Sequence, residues 1–255
     1  MAARREDVLM RRGLALVAPL ALAACGGGGG QSTTTAANPL AAAADATLAQ
    51  PSESVTVDGK VDLSGQKVTL KGDGAFDNGT EEGELHLRVS LGSLGSTDVD
   101  EVFDGNVVWL RSALLSATLG GKTWVRLDLS KEARVMGFDL RALTGQTPSA
   151  ALATLRLAGD STRVGTEEVG GVETTHYRKA LGQTVRGTVY TSVDAWVDAD
   201  QLVRKLELDY TPKVDPSSTT GAHTLLTMTF SDFGTDVSVE KPPADEVADA
   251  SKVAG

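Results

Sequence analysis

The chain has 255 residues, with 24 basic and 34 acidic side chains, a formal charge of −10, one cysteine and only 4% aromatic residues. An acidic chain without a basic cluster excludes a nucleic-acid reader, which needs Lys/Arg stripes, and a lone cysteine excludes an intramolecular disulfide. With few rings available, aliphatic and small side chains must build the core or leave space in it.

The N-terminal residues run from basic to apolar to small. Arg11 and Arg12 precede the uncharged segment Gly13 to Ala24 (GLALVAPLALAA), and Cys25 and five glycines follow. This is the layout of an export signal, and about twelve apolar residues fall short of the roughly 20 that span a bilayer. Leu22-Ala23-Ala24-Cys25 resembles the lipobox of bacterial lipoproteins. That resemblance implies cleavage between Ala24 and Cys25 and a diacylglyceryl group on the Cys25 sulfur. Two acyl chains suffice for stable anchoring at about 0.8 kcal/mol per buried methylene. The glycines and the polar stretch up to Asn38 then read as a flexible tether. Residues 1–24 are thus expected to be a lipoprotein signal peptide, and 25–38 the acylated cysteine and tether. Removing 1–24 takes away four arginines and two acids, leaving 32 acids against 20 bases and a formal charge of −12. Electrostatic docking on anionic lipid is therefore not expected, and attachment falls to the acyl chains.

Pro39 to Ala49 reads as a first helix, capped by Asn38 with proline at its first position. From Ser54 the period changes to two. Val55, Val57, Val61 and Leu63 share a side, as do Val68, Leu70 and Phe76, and then Leu85, Leu87, Val89 and Leu91. Turn residues between the runs make successive strands antiparallel neighbours, and Asp104-Gly105-Asn106 joins VDEVF to VVWLR as a hairpin. After GKTWVRLDL, a short helix is expected at Phe138–Gly145 and a second over SAALATLRLAGD, capped by Thr147-Pro148. Six further strand runs follow, STRVGTEEV, GVETTHYRKAL, VDAWVDAD, LVRKLELDY, TLLTMTFSDF and TDVSVE. Pro242-Pro243 closes the domain, leaving 244–255 as a tail.

An antiparallel sheet of about 10–11 strands must curl or split, and its apolar face needs a cover. The fold class expected is α+β, a single large curled antiparallel sheet forming a half-barrel over 39–243, with two or three helices covering its concave face. GKTWVRLDL (121–129), VGGVETTHYR (169–178), AWVDADQLVRKLELDY (195–210) and MTFSDFGTDVSVEKPP (228–243) together resemble the LppX/LprG-type lipoproteins of actinobacteria, which share the LolA-like half-barrel. One departure is Gln201, which stands where the family's hairpin has glycine. Since a non-glycine residue does not take positive φ cheaply, that turn is expected to differ or lengthen.

The resemblance implies an acylated lipid or glycolipid bound inside the half-barrel and carried across the cell envelope by a protein anchored on the extracytoplasmic face of the membrane. Alternation proposes Leu85, Leu87, Val89, Leu91, Val125, Leu127, Leu206, Leu208, Met228 and Phe230 as lining residues. The same alternation also fits a filled core, and the scaffold would then bind or sense a partner protein of the envelope. A void of several hundred Å3 separates the two readings.

No cofactor and no metal is expected. His86, His176 and His223 lack converging ligands and read as solvated strand positions, while Asp198 and Asp200 read as a hairpin turn lacking the distal glutamate of a calcium loop. No nucleophile can be paired with a base, so the chain is expected not to be an enzyme. Trp109, Trp124 and Trp196 read as packing residues.

Overall fold

The computed structural model describes residues 38–63, 65–129, 134–135, 138–139, 147–185, 188–212 and 222–250. Helix α1 (Pro39–Leu48) begins where Asn38 Oδ1 accepts from the Leu40 and Ala41 amides at 3.1 and 3.2 Å. Such a cap is worth about 1 kcal/mol. Its buried stripe is Leu40, Ala43, Ala44 and Thr47, the spacing of one helix face.

Strands β1 (Ser52–Leu63), β2 (Gln66–Asp77), β3 (Glu82–Ser90), β4 (Ser96–Asp104), β5 (Val107–Ser112) and β6 (Trp124–Asp128) follow as an antiparallel meander. A short helix α2 (Ala113–Ser116), not foreseen in the sequence, lies between the last two and is capped by Ser112. Arg134–Val135 (β7) and Phe138–Asp139 (β8) pair with each other as a separate two-stranded ladder. This corrects the helix expected from Phe138; its remaining residues, 140–145, lie outside the described residues.

Helix α3 (Pro148–Ala153) runs into a 3₁₀ turn, Thr154–Leu157, with Thr147 as its cap. The second half of the sheet is β9 (Thr162–Val169), β10 (Val172–Val185), β11 (Thr188–Val197), β12 (Val203–Pro212) and β13 (His223–Ser231). β13 closes back on β1, joining the halves.

The result is one open sheet of twelve strands in the order β14-β6-β5-β4-β3-β2-β1-β13-β12-β11-β10-β9, the half-barrel arrangement expected. Its last member, β14 (Val247–Asp249), comes from the segment read as a tail, and lies parallel to β6. The sheet is therefore mixed, with one more strand than counted from sequence. Residues 235–240, read as a strand, join no ladder.

Two glycines let β2 and β3 approach closely. A Cβ on Gly72 would lie 1.9 Å from the His86 carbonyl oxygen, and one on Gly74 would lie 2.1 Å from that of Glu84. On this side the β3 backbone closes onto β2, an approach that only residues without a side chain permit.

Gln201 corrects the sequence expectation. It adopts φ +65°, in a turn that Asp198 organises. Asp198 Oδ1 accepts from the Asp200 and Leu202 amides, each at 2.9 Å, and Oδ2 accepts from Arg204 Nε at 2.6 Å. These bonds offset a left-handed residue's cost of about 1–2 kcal/mol.

Candidate functional site

Cross-strand register stacks the inner side chains of the sheet into rows. One row runs Ala195, Leu206, Met228, Val57, Gly72, Leu87 and Val99, from β11 to β4. The next runs Phe230, Val55, Gly74, Leu85, Glu101, Leu110, Val125 and Ala248, from β13 to β14. A third holds Glu53, Phe76, Gly83, Phe103, Val108 and Leu127.

Of the proposed lining residues, Leu85, Leu87, Val125, Leu127, Leu206, Leu208, Met228 and Phe230 are buried in one hydrophobic core. Val89 packs against it, partly buried. Leu91 stands one residue beyond β3, half-buried, beside a surface cleft of about 510 Å3 shared with Lys67, Ser93 and Leu94. Cys25 lies outside the described residues. Alternation thus placed nine of the ten on the core side, their mutual packing depending on register, whereas Leu91 is corrected: it lies past the end of β3, where the strand's alternation no longer holds.

The helices cover these rows with small side chains. Ala43 and Ala44 of α1, Ala151 of α3, and Ala158 are fully buried, together with Leu40, Leu152 and Leu155. The lid is pinned by polar contacts at its ends. Thr47 Oγ1 donates to the Ala43 carbonyl and accepts the Val203 amide, and Arg156 pairs with Asp45 between the 3₁₀ turn and α1.

Two carboxyls share the apolar inner face, and sequence reasoning missed both. Glu101 is 2% exposed, and its Oε2 has no hydrogen-bond partner. Burial alone pushes its carboxyl up to about 8, because an apolar surrounding disfavours the charged form. Glu53 is 1% exposed. Burial pushes it up to about 7, against the opposing effect of a hydrogen bond from Asn78 Nδ2. The available signal was parity: Val99, Glu101 and Phe103 alternate, so an acid occupies a core-facing position in VDEVF.

The outer face holds the polar clusters. His86 meets Asp100, and His223 meets Asp209, each at 2.9 Å and exposed, as expected for solvated strand positions. His176 is instead buried. Its Nε2 lies 2.6 Å from Asp194 Oδ1, which also accepts from Arg178 Nε at 2.7 Å. Its ring stacks on Trp196 at 4.1 Å, with Lys205 Nζ 3.9 Å from the indole centre on the neighbouring strand. Trp124 is buried beneath the Arg111 guanidinium. A second cleft of about 420 Å3 crosses the outer face over Thr56, Asp58, Lys71, Asp73, Thr227 and Thr229.

No family model matches the chain. It is 30% identical over 204 residues to a "putative lipoprotein" of Streptomyces coelicolor, covering 73% of this chain and 66% of that protein. It is also 30% identical over 162 residues to an uncharacterised 31.2 kDa protein of Streptomyces griseus, covering 53% of this chain and 50% of that protein. The chain thus spans half to about two thirds of the length of these curated relatives. Among solved structures it is similar to LprF of Mycobacterium bovis, at 13% identity and TM-score 0.47, over 80% of this chain and 95% of that one. It is likewise similar to the Mycobacterium tuberculosis lipoprotein LppX, at 14% identity and TM-score 0.47, over 79% and 96%.

The chain resembles the LppX/LprG-type lipoproteins. The resemblance stated from the strand and turn motifs of 121–243 holds, and so does the open half-barrel class.

Proposed function

We propose that this chain is a membrane-tethered lipoprotein that binds an acylated lipid on the inner face of its half-barrel and carries it within the cell envelope. One observation carries the reading: rows of aliphatic side chains cross the sheet beneath a lid whose contact residues include four alanines. The alanines leave Leu40, Leu152 and Leu155 as the lid's larger contacts, so a long acyl chain taking the lid's place can replace the apolar contact that the lid gives the rows. A chain of sixteen carbons gains about 12 kcal/mol gross on leaving water, at roughly 0.8 per methylene. A protein presenting such a surface lowers the barrier to moving that lipid. The similarity to a "putative lipoprotein" supports the anchoring half of the proposal, in which Cys25 is acylated and holds the domain on the extracytoplasmic face. The role is binding and carriage without catalysis.

The test is native mass spectrometry of the Cys25→Ser protein purified without detergent, before and after mixing with diacyl lipid. Lipid-bound species are the expected result. Bare protein in both samples overturns the reading.

A second reading has its own support. The proposed lining residues pack on one another, and the two clefts of 420 and 510 Å3 lie on the outer face and at a loop. On that basis the domain is an envelope module that binds a partner protein through its outer face, with a filled core. Bare protein in the experiment above is the outcome this reading requires.

A further inference from the structure

Glu101 occupies the middle of an eight-strand apolar row and has no part in the lid. Across the strands its register neighbours are Leu85 and Leu110, and along β4 its same-face neighbours are Val99 and Phe103. It is 2% exposed, Oε2 is unsatisfied, and no cation or hydrogen-bond donor among the described residues reaches it. An unpaired buried polar group is destabilising, so folding alone gives this position no reason to hold an acid. A leucine here would continue the row on both sides.

We propose that the Glu101 carboxyl is the polar contact of the lipid site and selects an uncharged acyl lipid bearing a free hydroxyl, such as that of a glycerol or a sugar. This deepens the lipid-binding reading above and rests on it. The chemistry follows from the surroundings. With burial pushing the group up to about 8, the carboxyl is mostly neutral near pH 7 and presents one donor and one acceptor. A hydroxyl presents the complementary pair. A phosphate beside an acid without a counter-cation would be repelled, so an anionic headgroup does not fit. A fully apolar ligand would leave the carboxyl as unsatisfied as it is now, and a site built to pair with a hydroxyl rejects an analogue lacking it.

The experiment uses the full chain carrying Cys25→Ser, alone and combined with Glu101→Gln or Glu101→Leu. The probes are 1,2-dioleoylglycerol and 1,2-propanediol dioleate, which differs only in lacking the hydroxyl, and uptake is titrated by native mass spectrometry. The chain that keeps Glu101 and the chain carrying Glu101→Gln should both prefer the hydroxyl lipid by about tenfold, and Glu101→Leu should take up both equally. Glu101→Leu removes an unsatisfied group and keeps the row apolar, so its melting temperature should be unchanged or higher, which controls for folding. Equal uptake of both lipids by the chain with Glu101, or a preference that survives Glu101→Leu, overturns this inference and leaves lipid binding standing. Uptake of neither lipid overturns both.

Discussion

The Val203 amide donates to the hydroxyl of Thr47 across 156 residues of chain, at 2.8 Å, and Thr47 in turn donates to the Ala43 carbonyl at 2.7 Å. Both groups are fully buried, so one hydroxyl fastens helix α1 to the start of β12. Thr47→Val keeps the shape and strands the Val203 N–H. The expected loss is about 1–3 kcal/mol, measured by urea unfolding. Hydrogen exchange at the Val203 amide should accelerate more than exchange in β4 or β5.

Stability should fall as pH rises through neutrality. Glu101 moves from an ordinary 4.5 to about 8 in the folded protein, and Glu53 to about 7. Between about 4.5 and 8 the folded state holds protons that the unfolded chain has released, so unfolding free energy decreases with pH and levels off above about 8. At about 1.4 kcal/mol per unit of separation, the Glu101 contribution is on the order of a few kcal/mol. Glu101→Gln should flatten most of the slope above pH 7 in a series of denaturant melts, while an unchanged slope would show that Glu101 titrates normally.

Gly72 should tolerate no side chain. Alanine there places Cβ against the His86 backbone oxygen at 1.9 Å, which no rotamer change relieves. Gly72→Ala is expected to cost at least about 3 kcal/mol, the upper range for overpacking. Gly165→Ala is the control, since a Cβ at that position meets nothing within 4 Å, and its effect should stay within about 0.5 kcal/mol. Thermal melts followed by circular dichroism compare the two.

Asp194 should matter more than any surface acid. Its carboxylate is buried and accepts from both Arg178 and His176. Asp194→Asn weakens a buried acceptor shared by the exposed Arg178 guanidinium and the buried His176 ring and should cost about 1–3 kcal/mol, the range for a buried polar group that loses its partner. Asp45→Asn breaks the exposed contact with Arg156 and should cost under about 1 kcal/mol.

Cys25→Ser should move the protein from the membrane pellet to the soluble fraction on cell fractionation, and abolish incorporation of labelled acyl chains. Removing both chains of a diacylglyceryl group removes the anchoring energy at once. Continued sedimentation of the variant with membranes would place attachment elsewhere.

The sequence by itself determined which residues face inward, because a period of two is a local property of each strand. Val55, Leu85, Leu206 and Phe230 lie on the face that alternation assigned them. It also determined where α1 and α3 begin, since Asn38 and Thr147 cap through neighbours two or three residues away. Only the tertiary structure decided what each inward residue meets. That Glu101 lies between Leu85 and Leu110, that Val247–Asp249 adds a parallel strand beside β6, and that His176 is buried against Trp196 all follow from pairings between distant segments. Gln201 takes positive φ for a related reason: the hydrogen bonds gathered around Asp198 outweigh one residue's backbone preference. Periodicity assigns a side chain to a face, but register chooses its neighbours, and the neighbours set whether a carboxyl is solvated, paired or left waiting for a partner.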